Sequence, residues 1–175
     1  MSIVGALQAS GYKPEKSTAG DKPILKGVYK ALFADWATME DKGYGGSIYA
    51  QFKVIETLAG MDSRSSFPEF KGYFNTSAEK VNSKRNGLAK LLNGFFSVGK
   101  NVDTSSDEAL VGSLNDLKGS AEVYISAYKQ DARKQEGGAW VDDPDGEAKQ
   151  GWTFMTEKNA QKEAEKQHKK AGHPL

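Results

Sequence analysis

The sequence contains no cysteine among its 175 residues. Without a thiol, the chain cannot form disulfides, zinc–thiolate sites or a cysteine nucleophile. Its two histidines, His168 and His173, both lie in a polar C-terminal segment, where no dry pocket is expected to tune an imidazole. A Ser-His-Asp triad therefore lacks a credible histidine, and we expect a protein that is not an enzyme and needs no cofactor.

Long apolar runs and an excess of one charge sign are also missing. No stretch approaches the roughly 20 apolar residues that a membrane-spanning helix needs, so we expect a soluble protein with no membrane partner. The 24 basic and 23 acidic side chains leave a formal net charge of +1. Because this balance exerts no overall attraction on nucleic acid, any anion site must be a local patch.

The length fits one domain that is large enough to bury a core. Residues 1–26 mix small apolar residues with Gly, Pro, Ser and Lys, which predicts a flexible N-terminal arm with a short docked segment at 3–7. Residues 27–156 hold the predicted strands and helices. Residues 157–175 are dominated by Glu and Lys and are predicted to be a polar tail, at most a frayed helix, with nothing to bury.

The clearest pattern is the period-two alternation that begins at Gly46. Side chains of one face are apolar, and the other face carries Tyr49, Gln51 and Lys53. Such alternation predicts a half-buried strand. A second strand at 70–74 would turn its phenylalanines inward and turn Lys71 and Tyr73 outward. The inward residues of the two strands are Ile48, Ala50, Phe52, Val54, Phe70 and Phe74.

Other segments complete the predicted order of elements. A first strand is expected at 27–36, and the glycine-rich link 38–46 would join it to the next strand as a hairpin. Apolar residues at helical spacing predict helices at 78–96 and 106–117, the second capped by Ser105 or Ser106. Strands are expected at 120–128 and 151–156, with a long exposed loop at 131–150 between them.

This order predicts a mainly β fold. Antiparallel strands with a helical insertion between the third and fourth suit an OB-like five-stranded antiparallel barrel. A β-sandwich with helical decoration is the alternative.

Aromatic and basic side chains recur on the predicted outward faces. A protein that stacks bases and neutralises phosphates needs this pattern, although tyrosine also favours strands and lysine also favours solvent. Trp140 is the best candidate for an exposed stacking tryptophan, because it lies in a polar loop that contains glycine. The candidate nucleic-acid-binding residues are Tyr49, Lys53, Lys71, Tyr73, Tyr124, Tyr128, Lys129, Arg133 and Trp140.

An acidic cluster formed by Asp142, Asp143, Asp145 and Glu147 is the best candidate for holding a hard cation. It lacks the ligand spacing of a calcium loop, so a solvated loop is favoured and no metal site is predicted. A metal-dependent nuclease built on these carboxylates is a remote alternative.

The run from Gly27 to Phe96 resembles a family of small phage-encoded single-stranded-DNA-binding proteins with an OB fold. The matching features are GVYKALF, SIYAQFKVIETLAG, FKGYF and LAKLLNGFFSVG, followed later by VYISAY and GWTFMTEKN. The resemblance implies sequence-tolerant binding of single-stranded DNA in phage replication or recombination, with partners from those processes and a location in the host cytoplasm. Many such proteins end in an acidic tail that recruits partners, whereas this chain ends in KEAEKQHKKAGHPL.

A structural or assembly module that uses the same barrel is the second hypothesis. Its tyrosine faces would then form subunit contacts, because aromatic residues are enriched at protein interfaces. The sequence leaves the oligomeric state open, including a homo-oligomer.

Overall fold

The computed structural model describes residues 2–14, 24–40, 46–61 and 69–170. Parts of two predicted turns, 41–45 and 62–64, and the end of the predicted tail with His173 lie outside these residues. The strands are β1 (Gly27–Met39), β2 (Ser47–Gly60), β3 (Glu69–Asn75), β4 (Glu122–Gln130), β5 (Arg133–Glu136), β6 (Ala139–Asp142) and β7 (Lys149–Met155). The helices are α1 (Ile3–Ala9), α2 (Leu88–Phe96), α3 (Asp107–Leu117) and α4 (Glu157–Lys170).

Five of these strands form one antiparallel sheet in the order β3-β2-β1-β4-β7. The fold is therefore mainly β, as predicted, and α2 and α3 provide the predicted helical insertion between β3 and β4. The predicted barrel is not closed, because β3 and β7 are the two edges of the sheet and are not hydrogen-bonded to each other in the described residues.

Side chains, rather than backbone hydrogen bonds, fill the space between the two edges. The ring of Trp152 on β7 lies 5.7 Å from the ring of Phe70 on β3, measured between centroids. Phe154 packs against Gly94 of α2 so closely that a Cβ atom on Gly94 would lie 2.6 Å from the ring. Helix α2 and these aromatic rings therefore occupy the position where β3 and β7 would otherwise pair.

The main core lies on the inner face of the sheet. Phe52 of β2 lies at its centre, with ring centroids of Phe33 and Phe95 at 5.4 and 6.2 Å. Phe70 and Phe74 are buried, and Tyr73 between them is exposed, so the predicted alternation of β3 is confirmed. The largest fully buried side chains are Tyr29, Phe33, Phe52, Phe70, Phe95, Leu91, Leu114, Ile125, Val28 and Val123.

Helix α4 covers part of the opposite, outer face of the sheet. Ala160 and Ala164 are buried, and Ala160 packs in a cluster with Val28 of β1 and Tyr124 of β4. The prediction that the C-terminal segment has nothing to bury is therefore wrong. Two small alanines four residues apart let this polar helix approach the sheet without a large apolar stripe.

Three further segments differ from their predictions. The predicted loop at 131–150 contains the β5–β6 hairpin, whose turn uses positive φ angles at Gly137 and Gly138. The predicted helix at 78–96 begins only at Leu88, because Gly87 forms a bridge to Asn75 and is so close to the preceding turns that a Cβ atom on it would collide with the carbonyl oxygens of Lys80 and Val81. The N-terminal segment forms helix α1 with no buried residue, so the expected docking at 3–7 is wrong.

The helix predicted at 106–117 is confirmed with its cap. The Ser106 side chain accepts a hydrogen bond from the Ala109 amide, and Asp107 and Glu108 occupy the first turn. Across the described ranges, no helix has both the length and the apolar character required to cross a bilayer.

Candidate nucleic-acid interface

The structure distributes the predicted binding residues over three regions. One set lies on the outer faces of β2 and β3, one lies where β4 leads into the β5–β6 hairpin, and one residue lies beneath α4. In that order, the sets are Tyr49, Lys53, Lys71 and Tyr73; Tyr128, Lys129, Arg133 and Trp140; and Tyr124.

The first set contains a pair of tyrosines. Tyr49 and Tyr73 are cross-strand partners, and their ring centroids lie 5.3 Å apart. Tyr73 is 60% exposed. Lys53 is exposed, and Lys71 Nζ lies 3.6 Å from a carboxylate oxygen of Glu69. Because exposed ion pairs of this kind contribute at most about 1 kcal/mol, a phosphate can compete for Lys71 at small cost.

Tyr124 is a correction to the predicted exposed set. It lies on the outer face of β4 as expected, but only 9% of its surface is exposed because α4 covers it. Burial raises the pKa of its hydroxyl, and the ammonium of Lys30 lies 5.8 Å from its ring centroid. No base can stack on Tyr124 while α4 stays in place.

A groove follows the exposed side of β7 at the seam between β7 and the segment that precedes α2. Two clefts of about 350 and 370 Å³ share Arg85 and Gln130 and together form this groove, which we call the seam groove. Of the lining residues that the structure describes, one is acidic, Asp131. The cations are Lys84, Arg85, Lys90, Arg133 and Lys149, and the aromatic residues are Tyr128, Trp140 and Trp152.

The β5–β6 hairpin forms one wall of the seam groove. The guanidinium of Arg133 donates a hydrogen bond to the carbonyl oxygen of Trp140 (2.9 Å), and its Nε lies 3.9 Å from a carboxylate oxygen of Asp142. A guanidinium has five N–H donors, so Arg133 can hold the hairpin and still contact an anion. Trp140 is 60% exposed and lines the groove.

Tyr128 forms the end of the groove on β4. Its ring lies across Gly151, its cross-strand partner, so closely that any side chain at position 151 would collide with it. Glycine at this position therefore fixes the ring against β7 while 47% of the tyrosine surface stays exposed. Neighbouring Lys129 lies 3.9 Å from Asp131 and lines a separate cleft beside α4.

Lys90 lies on the floor of the seam groove. Its ammonium lies 5.8 Å from the ring centroid of Trp152 and donates to the carbonyl of Arg85 at 3.4 Å. Partial burial disfavours the charged form and lowers the pKa of Lys90 from its ordinary value of 10.5. A bound phosphate would favour the charged form and oppose this shift.

Raising the pH is therefore expected to weaken anion binding at Lys90 earlier than for an ordinary lysine. The protonated form binds phosphate, and a lowered pKa means that the proton leaves at lower pH. In oligonucleotide titrations at increasing alkaline pH, Lys90→Arg should keep its affinity to higher pH than the wild type. Lys100→Arg, at an exposed loop position, is the matched control and should follow the wild type. Coincident profiles for Lys90→Arg and the wild type would contradict this role.

The acidic cluster of the sequence is not assembled into a cation site. The carboxylate of Asp143 accepts a hydrogen bond from the Asp145 amide, and Asp142 lies beside Arg133. Over the part of the chain that the structure describes, no group of three or more His, Asp or Glu side chains is placed to hold a metal ion.

Four cations of the seam groove were not among the predicted binding residues: Lys84, Arg85, Lys90 and Lys149. The first three lie in the segment that was predicted to be a helix at 78–96. The sequence does hint at a cationic site in the run KRNGLAK at 84–90, where three basic residues flank a glycine. The three-dimensional arrangement of β7 beside this run places Arg85 in one cleft with Trp140, and places all three cations in another with Tyr128 and Trp152. No protein-family model and no curated protein matches this chain, so its resemblance to phage single-stranded-DNA-binding proteins stays a prediction.

Proposed function

We propose that this protein binds single-stranded DNA with little sequence preference through the seam groove. The observation that carries the proposal is the combination of five cations and three aromatic residues around one groove, with Asp131 as the acidic residue of its described lining. Lysine and arginine neutralise phosphates, and each base stacked on an aromatic ring is worth about 1–3 kcal/mol. The net charge of +1 is compatible with this function because the cations are concentrated locally.

The topology supports the same proposal. OB folds are five-stranded, partly open barrels that bind oligonucleotides on strands 2 and 3 and on the loops between strands 1–2 and 4–5. Here the β5–β6 hairpin, which forms one wall of the seam groove, connects the fourth and fifth strands of the sheet. The proposal also includes an OB-like fold, a role in phage replication or recombination, partners from those processes and a location in the host cytoplasm.

Trp140→Ala tests the proposal directly. Loss of one stacking ring should weaken binding of an oligodeoxythymidine by about 1–3 kcal/mol, which is roughly 5- to 150-fold. The fold should persist, since the hydrogen bond from Arg133 goes to the backbone carbonyl of Trp140, which the substitution keeps. Affinity is measured by the anisotropy of a fluorescein-labelled oligomer at low salt, beside a duplex of equal length.

Phe96→Ala is the matched control. Phe96 is also an exposed aromatic residue, 70% accessible, but it does not line the seam groove. Its replacement should leave affinity unchanged. Equal affinities for Trp140→Ala and the wild type, or tighter binding of duplex than of single strand, would contradict the proposal.

A second function, assembly with other protein chains, is favoured by one observation. The Tyr49–Tyr73 pair, of which Tyr73 is exposed and Tyr49 half-buried, lies next to the open edge of β3, and such edges can pair with another strand. A mass that increases with protein concentration, is lowered by Tyr73→Ala and does not respond to oligonucleotide would favour this function.

A further inference from the structure

A second cationic cleft lies beside α4, at the end of the sheet where β1 begins and β2 and β4 end. Its volume is about 1100 Å³, and we call it the α4 cleft. One of the lining residues within the described part of the chain is acidic, Glu163. The basic residues that line it are Lys26, Lys129, Lys166, His168 and Lys170.

Helix α4 is fixed in the position that creates this cleft. Ala160 and Ala164 anchor the helix on the sheet. Near its C-terminal end, the Nε2 atom of His168 lies 2.8 Å from the carbonyl oxygen of Leu58. Because a carbonyl only accepts, Nε2 must donate, so the imidazole ties α4 to β2.

Two glycines of the sheet, Gly27 and Gly60, line the α4 cleft. Gly27 and Gly60 face each other across β1 and β2, with φ angles of 150° and 97°. A Cβ atom at either glycine would collide with a carbonyl of the opposing strand, Ala59 for Gly27 and Lys26 for Gly60. Glycine is therefore needed at both positions for β1 and β2 to pair at this end of the sheet, and neither residue places a side chain in the cleft.

Tyr128 lines both the α4 cleft and the seam groove. On one side of Tyr128, Arg85 and Gln150 line the seam groove. On its other side, Lys129 and Lys166 line the α4 cleft. We propose that a single DNA strand passes over the Tyr128 ring from the seam groove into the α4 cleft, where lysines bind its phosphates. This inference rests on the proposed function and extends its site to the C-terminal helix.

The chemistry of the α4 cleft favours a polyanionic strand over a small anion. Its cations are dispersed lysines from β4, α4 and the segment before β1, which act as separate point charges. A single phosphate would be held better by a compact set of donors or by a bidentate arginine. The cleft is also larger than the roughly 300–1,000 Å³ of ordinary small-molecule pockets, and it continues past Tyr128.

The test compares two double variants of α4 with equal changes in charge. Lys166→Gln/Lys170→Gln removes two lysines of the cleft, and Lys158→Gln/Lys169→Gln removes two exposed lysines that do not line it. Binding is measured against salt for oligodeoxythymidines of about 4 and about 16 nucleotides, the range of OB-fold site sizes. Loss of two phosphate contacts should reduce the slope of log K against log salt by about 1.4.

The expected result depends on the length of the oligomer and on which lysines of α4 are replaced. The cleft variant should lose slope and affinity with the long oligomer only, and the control variant should match the wild type with both. If the long oligomer gives the same slope for both variants, the α4 cleft is not part of the site, although binding of the short oligomer would still support the seam groove. If neither oligomer binds the wild type, the proposed function itself fails.

Discussion

Reversing the charges of Arg85 and Lys149 together is expected to weaken binding of single-stranded DNA by roughly 100-fold or more. Both residues line the part of the seam groove that Trp140 also lines. Each charge-assisted hydrogen bond is worth about 1.5–3 kcal/mol, so two lost contacts account for at least about 3 kcal/mol before any repulsion is added. The Arg85→Glu/Lys149→Glu variant is titrated by anisotropy at low salt, where phosphate contacts contribute most.

Lys100→Glu/Lys158→Glu is the control for net charge. Each reversal removes two charge units, so both double variants change the formal net charge from +1 to −3. Lys100 and Lys158 are exposed and do not line the groove. The control should lose affinity only by general electrostatics, far less than the groove variant. Equal losses in the two variants would show that binding depends on overall charge and not on this groove.

Replacing Phe52 by alanine is expected to reduce the free energy of unfolding by about 3–5 kcal/mol. Phe52 is fully buried where the sheet, α2 and β7 meet. The centroid distances are 5.3 Å to Phe154 and 5.8 Å to Trp152. Removing the ring would leave a cavity beneath Trp152, which lines the seam groove, so the same change should also weaken DNA binding.

The measurement is urea unfolding, with Ile55→Ala as the control on the same strand. Ile55 is 49% exposed, so its truncation should cost less than about 1 kcal/mol. If Phe52→Ala unfolds at the same urea concentration as Ile55→Ala, then Phe52 does not hold the sheet, α2 and β7 together as we describe.

The sheet was largely predictable because its strands carry local signals. The alternation around Phe52 indicated β2, and Phe70 and Phe74 indicated the inward face of β3. The closure of the sheet was not predictable, since it depends on whether Trp152 fills the gap between β3 and β7 or the edges pair. A sequence pattern reports which face of a strand is apolar and does not report the distance between two edges.

The positions of the candidate binding residues were predictable only in part, for a similar reason. The alternation of residues along β4 correctly assigned Tyr124 to the outer face of the sheet. Tyr124 is nevertheless buried by α4, which packs on the sheet through Ala160 and Ala164, and two alanines are a weak hydrophobic signal in a sequence. Trp140 was predicted to be exposed, and it is. Arg85 joins it only because β7 and the segment before α2 come together in three dimensions.

The most direct test of the central claim is photo-crosslinking of a bromodeoxyuridine oligomer to the wild-type protein, with the modified residues identified by mass spectrometry. A strand bound in the seam groove places its bases on Trp140 and Tyr128, so adducts are expected at these two rings. Excess unmodified oligodeoxythymidine, added before irradiation, should prevent the adducts from forming. A complete absence of adducts at low salt, or adducts confined to Tyr49 and Tyr73 on the outer face, would contradict binding in this groove.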